Sequence, residues 1–426
     1  MSLGRLLLLS VITCAAGCGD AGVTPDAGLA DAGATEDAGR ADAGEPDAGP
    51  QTCAELLSER RVALDLEGPL TQIHASVDFD GEGIWVVYSR PEPGGGNFDV
   101  WATRRGCGGE VLVEPFLVQA DPAGNDIDPT LARSGDTLLI AWMTDDGTGG
   151  TDNLQIRYRT FTTDGSPVMP SDGRLETRRS GEPITDNHSG VELGVLPDGR
   201  FIAAGGRAVP EAMRFQAYAQ IIGVDGTLDG EALEPALEPM VTHQRAAIDA
   251  TPDGSLLLAY QRDTDGGEVQ VMLSALDGSA PELVIEGLAA SAGPDVLAHG
   301  ASTYVAFSGE GGGQADLRIV DVSVALASRT MRTLGEAGRL EHSPRLAAGE
   351  GAAAVAYFRQ IRGFTNELLL ASVTDETIAP VLVEAQVPAY QPAVTHVLGD
   401  FWFVAYSIGD SPDFRLVGRF VRLAPG

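Results

Sequence analysis

The chain has 426 residues and a formal net charge of -33, from 28 basic and 61 acidic side chains. That balance excludes nucleic acid as a partner, because phosphate binding needs a basic stripe, and it excludes a polybasic grip on an anionic membrane. Hydrophobic residues make up 43% and glycines number 54, enough apolar surface for a large core and enough glycine for a turn-rich, all-β protein.

At the N-terminus Arg5 precedes the apolar run LLLLSVI at 6–12, which is too short to span a bilayer. AAGC follows at 15–18. Small residues directly before a cysteine resemble the bacterial lipobox. The resemblance implies a signal peptide over 1–18 and lipidation of Cys18 as the first mature residue. With Gly19 and Asp20 behind it, it also implies sorting to the outer membrane. The alternative is a plain secretory signal cleaved elsewhere. Residues 19–50 repeat PDAG, ADAG and EDAG. Such a segment buries too little apolar surface to offset its ordering entropy, so it reads as a disordered, self-repelling tether. Its style resembles the linkers of myxobacterial surface lipoproteins. The expected protein is a monomer that touches the membrane through its lipid anchor alone.

Cys53 and Cys107 remain. They are a disulfide or two free thiols; export favours the disulfide, and two cysteines are too few for a structural zinc site.

Beyond residue 60 one pattern returns seven times. IWVVYSR at 84–90, LLIAWMT at 138–144, FIAAGGR at 201–207, LLLAYQR at 256–262, YVAFSG at 304–309, AAVAYFR at 353–359 and WFVAYSI at 402–408 align on Tyr88, Trp142, Gly205, Tyr260, Phe307, Tyr357 and Tyr406. The intervals between those positions are 54, 63, 55, 47, 50 and 49. Upstream of each stands an apolar residue that opens a shorter run: Val77, Leu131, Leu193, Ile248, Val296, Leu346 and Val394. A Gly/Asp turn separates the two runs, which makes a hairpin. An alternating third strand follows, as in FQAYAQII at 215–222, and often a weaker fourth, as in VLVEPFLV at 111–118.

Four antiparallel strands at a period near 50 predict a seven-bladed β-propeller over residues 51–426. The seventh unit ends after three strands. RVALDLE at 61–67 is the candidate to complete it and close the ring. Cys107 falls in a third-to-fourth strand turn of blade one, and Cys53 precedes the closing strand of blade seven. A Cys53–Cys107 bridge would therefore pin the closure. The rhythm over about residues 60–426 resembles sialidase-like propellers of bacterial surface proteins, although the Asp-box, the arginine triad and the Tyr–Glu pair of sialidases are missing.

Ligand sites of propellers usually lie on the face where the first strand begins and the second ends. Arg90, Arg207, Arg262 and Arg359 stand two residues beyond the aligned position in blades one, three, four and six. His74, His188, His243 and His342 precede the first strand in the same four blades. Arginine's planar fork suits carboxylate, sulfate or phosphate, so these eight residues are the candidate ligand-binding set, for an anionic glycan or an acidic peptide. The bland alternative pairs the arginines with nearby acids and the histidines with loop backbone. No catalytic residue is assigned. Glycosidase chemistry needs two carboxylates across the scissile bond, and Asp126, Asp128, Asp249, Asp295 and Glu341 lie near first-strand positions. The Asp-rich loops DPAGNDIDP at 121–129 and TDDGTGGTDN at 144–153 could hold Ca²⁺, but neither matches the twelve-residue Ca²⁺ loop; no other cofactor is implied. Trp85, Trp101, Trp142 and Trp402 read as blade packing. The expected function is an exported envelope lipoprotein acting as a non-catalytic binding or scaffold module. The alternative is a carbohydrate-active hydrolase or lyase of sialidase-like architecture.

Overall fold

An apolar run as continuous as IWVVY can only be a strand buried on both faces, and such a strand needs a sheet neighbour on each side for its backbone groups. The computed structural model describes residues 53–424, except 60–62, 68–73, 92–96, 123, 146–153, 176–187, 210–213, 236–240, 289–292, 311–314, 325–327, 337–338, 363–364, 389–391 and 410–413. The segments expected to be a signal peptide and a tether, with Cys18, lie outside the described residues. A short helix, α1 (Cys53–Glu59), precedes β1 (Ala63–Glu67). Blade one is β2 (Ala75–Phe79), β3 (Gly83–Pro91), β4 (Phe98–Gly106) and β5 (Val111–Leu117). Blade two is β6 (Asp126–Ser134), β7 (Thr137–Thr144), β8 (Gln155–Thr162) and the two-residue β9 (Gly173–Arg174). Blade three is β10 (His188–Val195), β11 (Phe201–Val209), β12 (Arg214–Ile222) and β13 (Leu228–Leu233). Blade four is β14 (Val241–Ala250), β15 (Leu256–Thr264), β16 (Val269–Ser274) and β17 (Glu282–Leu288). Blade five is β18 (Asp295–His299), β19 (Ser302–Glu310), β20 (Ala315–Asp321) and β21 (Met331–Leu334). Blade six is β22 (Leu340–Ala348), β23 (Ala353–Arg362), β24 (Thr365–Ser372) and β25 (Val381–Val387). Blade seven has β26 (Ala393–Leu398), β27 (Phe401–Ile408) and β28 (Arg415–Arg422).

All seven sheets are four-stranded and antiparallel, and the seventh takes its fourth strand from the N-terminus, in the order β1-β28-β27-β26. Ala63 faces Arg419 and Leu64 faces Gly418 across that pair. The innermost strands pack as a closed ring: β2 on β6, β6 on β10, β10 on β14, β14 on β18, β18 on β22, β22 on β26, and β26 back on β2. The protein is thus an all-β, seven-bladed propeller.

The period of two explains the core. Trp85 and Val87 of β3 point one way, against Leu138, Ile140 and Trp142 of blade two. Ile84, Val86 and Tyr88 point the other way, against Phe403 and Ala405 of blade seven. Each strand therefore serves two blade interfaces. Seven buried clusters result, one per interface. Trp85, Trp142 and Trp402 are fully buried packing residues.

Inner strands are also stitched directly to their neighbours. The Ser76 hydroxyl accepts from Leu131 N at 3.2 Å, Asp249 Oδ2 from Ala298 N at 2.8 Å, and Asp295 Oδ2 from Leu346 N at 2.7 Å. Arg133 Nε donates to Asp78 Oδ2 at 2.6 Å. These side chains satisfy amides that face a neighbouring blade, where no ladder partner exists.

Cys53 and Cys107 form a disulfide, with Cα atoms 5.2 Å apart. Cys53 opens α1, whose Leu57 is buried among Val86, Cys107 and Phe403 at the junction of blades one and seven. The bridge and the helix lie over the seam that β1 closes. The separation of 54 residues corresponds to about 4 kcal/mol of loop entropy in the chain-entropy account. Cys53→Ser/Cys107→Ser is expected to lose about 2–4 kcal/mol of stability, read as a lower melting temperature. Reduction of the wild type should reproduce that loss and leave the double variant unchanged.

Candidate functional site

The inner strands do not run straight into the channel. In β6 the pair Asp128 and Pro129 stands where β7 contributes one residue, Trp142. In β14 it is Arg245 and Ala246 opposite Tyr260, and in β22 Ser343 and Pro344 opposite Tyr357. β10 bulges at Gly190, opposite Gly205. In blades two, four and six the recurrent aromatic of the sequence therefore marks the place where the first strand bulges. A bulge re-aims the residue it inserts, and here that residue enters the left-handed region. His74, Asp128, Gly190, Arg245, Gly293 and Ser343 have φ of 58°, 52°, 68°, 50°, 48° and 54°. They occupy one position in blades one to six, three residues before the apolar residue that opens each first strand.

Gly205 is explained by the same geometry. A Cβ there would lie 2.8 Å from the Gly190 carbonyl oxygen. The aromatic is supplied by the cross-strand neighbour instead: Tyr218 faces Gly205 in register and is fully buried.

These six left-handed residues ring the mouth of a cavity of about 820 Å³ at the head of the channel. Its charged lining is His74, Asp128, Glu192, Arg245, Asp249, Asp295, His342 and Arg345. His74 Nδ1 pairs with Asp128 Oδ1 between blades one and two. Arg345 reaches from blade six to an ion pair with Glu192 of blade three. Burial raises the Glu192 and Asp295 carboxyls above the ordinary range, with the Arg345 charge opposing it. Burial pushes Asp249 up to about 6 despite its two amide hydrogen bonds. His74 is pushed down to about 4, by burial and then by the Arg345 charge, so it is neutral at neutral pH. For Arg345, burial acts against the charged form, but the Glu192 and Asp295 charges outweigh it and hold the guanidinium charged.

Of the eight residues expected from the sequence, His74 and His342 line this cavity. The other six lie on the blade sheets, each engaged locally. Arg90 stacks over the Trp101 ring at 3.6 Å. Arg207 is buried and ion-paired with Glu234 at 2.6 Å. Arg262 donates to Gln270 Oε1. Arg359 pairs with Glu336, and with Glu367 at 3.5 Å. His188 is buried and bonded to the Tyr218 hydroxyl at 3.0 Å, and His243 is buried against the Tyr260 ring at 4.6 Å. The four histidines do not share one structural position. His74 sits at the left-handed position, His342 one residue before it, and His188 and His243 two before it, where side chains turn into the blade.

Of the acids singled out in the sequence, Asp128, Asp249 and Asp295 face the cavity. Asp126 is instead buried within blade two, accepting from Gln119 Nε2 at 2.8 Å and Trp142 Nε1 at 3.0 Å. Glu341 is buried in blade six. Glu192, Arg245 and Arg345 were not expected. Most of the loop 144–153 lies outside the described residues, and among the described residues no group of three His, Cys, Asp or Glu side chains is arranged to hold a metal ion. No described helix is long and apolar enough to cross a membrane.

No protein-family model and no curated protein matches the chain. Solved structures do. A protein of unknown function from Dyadobacter fermentans is similar at a TM-score of 0.51 and 13% identity, over 86% of this chain and 99% of that one. An ulvan lyase of polysaccharide lyase family PL25, bound to a GlcA(1-4)Rha3S saccharide, is similar at 0.52 and 10% identity, over 86% and 96%. Trypanosoma rangeli sialidase is similar at 0.44 and 11% identity, over 84% and 59%. At these identities the likeness is one of fold.

Burial of His188 pushes it down to about 4, followed by the charges of Arg174 and Arg207. A histidine with a depressed folded value holds fewer protons than its unfolded counterpart between pH 4 and 6.5, so its contribution is whole above about 6.5 and fades as pH falls toward 4. Chemical denaturation of the wild type and His188→Gln should show a stability gap that narrows by about 3 kcal/mol over that interval. A gap independent of pH would mean that the imidazole titrates normally.

Proposed function

We propose that this protein is an exported, lipid-anchored, monomeric module of the bacterial outer membrane that binds a glycan carrying acidic groups at the mouth of its propeller channel. One observation carries the reading. Four of the six described non-glycine residues with positive φ, His74, Asp128, Arg245 and Ser343, sit at that mouth and aim hydrogen-bonding side chains into one cavity. A left-handed histidine, aspartate, arginine or serine costs about 1–3 kcal/mol where a glycine would be relaxed. Blades three and five use glycine at this position, so the fold accepts the relaxed residue. Strain that the fold does not require and that gathers round a single cavity supports a binding role for it. A volume near 820 Å³ falls within the roughly 300–1,000 Å³ of small-ligand sites. The ulvan lyase that shares the fold holds a saccharide, which supports a saccharide here.

The N-terminal signal with Cys18 supports export and lipidation, and the Cys53–Cys107 disulfide fits an oxidising compartment. A carbohydrate-active enzyme is the second reading. It is favoured by the carboxylates Glu192, Asp249 and Asp295, which line one cavity and which burial raises above the ordinary range, with the Asp295 charge adding to the rise at Glu192 and Asp249. Two of the three already accept amides of a neighbouring blade, which favours binding without turnover.

With a bound saccharide at a hundred times its Kd, the protein should gain about 2.7 kcal/mol, visible as a raised melting temperature. That gain should vanish in Glu192→Gln/Arg345→Met and persist in Arg90→Ala/Arg262→Ala. The reverse pattern would move the site to the strand-end arginines. Release of reducing ends during the same incubations would establish the enzyme. Separately, Cys18→Ala should move the protein from the membrane fraction to the soluble fraction; retention in the membrane fraction would overturn lipid anchoring.

A further inference from the structure

The cavity is not a basic pocket. Four carboxylates line it, Asp128, Glu192, Asp249 and Asp295, against two arginines. The arginines differ in what surrounds them. Arg345 is ion-paired with Glu192 and feels Asp295 as well. Arg245 stands on its strained bulge in blade four with its side chain exposed to the cavity. Its one opposing charge of note is Asp263, which lies on β15 of the same blade and is itself hydrogen-bonded by Gln244 Nε2 at 3.1 Å and Gln261 Nε2 at 2.7 Å. The Arg245 guanidinium lies over Gly293 of blade five, and a Cβ added there would meet Nη1 at 3.1 Å. The left-handed residue of blade five, a glycine, therefore leaves the guanidinium room. Across the ring lie the pair His74–Asp128 and Ser76 and Thr130.

We propose that Arg245 anchors one acidic group, a carboxylate or a sulfate, of an otherwise neutral saccharide, whose hydroxyls donate to the carboxylates on the rest of the wall. This rests on the glycan-binding reading above. The charge inventory selects against the other anions. A guanidinium with no ion pair among the described residues compensates one negative charge by a forked, charge-assisted pair of hydrogen bonds. A second negative group in the same cavity would face Asp128, Glu192, Asp249 or Asp295 with nothing to offset the repulsion. Carboxylate oxygens are acceptors only, so the groups that satisfy them are hydroxyl donors, which a sugar offers along its whole length. A densely charged polyuronate or an acidic peptide brings several anions and fewer donors.

The test uses the full-length protein and calorimetric titration. The probes are neutral tetrasaccharides, the same tetrasaccharides with one residue oxidised to a uronate or one hydroxyl sulfated, a fully oxidised polyuronate, and tetraglutamate. The singly acidic probes should bind about tenfold more tightly than their neutral parents, as expected for one charge-assisted contact. Uronate and sulfate arms distinguish the two acidic groups. In Arg245→Gly the preference should fall to within about twofold, while Arg245→Lys keeps part of it. Because glycine relaxes the bulge, the melting temperature of Arg245→Gly should match or exceed the wild type, which separates lost binding from lost folding. A preference that survives Arg245→Gly, or tighter binding of polyuronate or tetraglutamate, overturns the assignment. Neutral probes bound as well as acidic ones overturn it too, but leave glycan binding standing. Failure of every saccharide to bind overturns both.

Discussion

The pairing of β1 with β28 is the constraint on which everything else rests. A blade of three strands ends in an open row of amides and carbonyls, and an open ring leaves an apolar blade face without a neighbour. Closing both defects at one seam forces the chain termini of the domain into a single sheet. It also forces seven inner strands to stand in a circle. The cavity exists only because of that circle: the residues that line it belong to every blade, and none of the important pairs is close in sequence. Arg345 meets Glu192, and His74 meets Asp128, because the ring closes. The disulfide and α1 protect the one place where closure depends on strand pairing between distant segments instead of on a continuous chain.

Within that frame the left-handed residue at the head of the inner strands of blades one to six divides structure from function. Below it, side chains serve the ring: Asp78, Asp249 and Asp295 bond to the strand of the next blade. At that position the backbone turns left-handed, and the residue lines the cavity. Two blades keep the relaxed choice, Gly190 and Gly293. Four carry strained polar residues. Burial and charge then sort the cavity's titratable groups. A neutral His74, carboxyls raised by burial, and an Arg345 ion-paired with Glu192 leave Arg245 as the exposed cation of the wall among the described residues. In a protein of net charge -33, the position of that cation matters more than the number of arginines.

Blade number, strand order, the closing strand and the disulfide were legible in the sequence because each is written as a local pattern. Alternation with period two names strands, Gly/Asp turns name hairpins, and an interval near 50 names the blade. The helix α1 was not legible, since seven residues carry too little periodicity. The ligand wall was half legible. Aligning on Val77, Leu131, Leu193, Ile248, Val296 and Leu346 puts His74, Asp128, Gly190, Arg245, Gly293 and Ser343 in one column, three residues upstream. The column mixes charges and glycines, so it does not stand out. The column that does stand out, Arg90, Arg207, Arg262 and Arg359, is engaged within the blades, by Trp101, Glu234, Gln270 and Glu336.

The sequence by itself determined the all-β propeller, its seven units and its seam, because those follow from side-chain periodicity and backbone pairing, which act between near neighbours along the chain or between whole strands. Only the tertiary structure decided which polar residues face the channel. A bulge shifts a strand by one residue and turns its side chains to the other side, so the same alternation places His188 and His243 inside a blade, and Arg245 over the cavity. That single-residue shift depends on how the first strand meets the aromatic opposite it, and no local pattern records it.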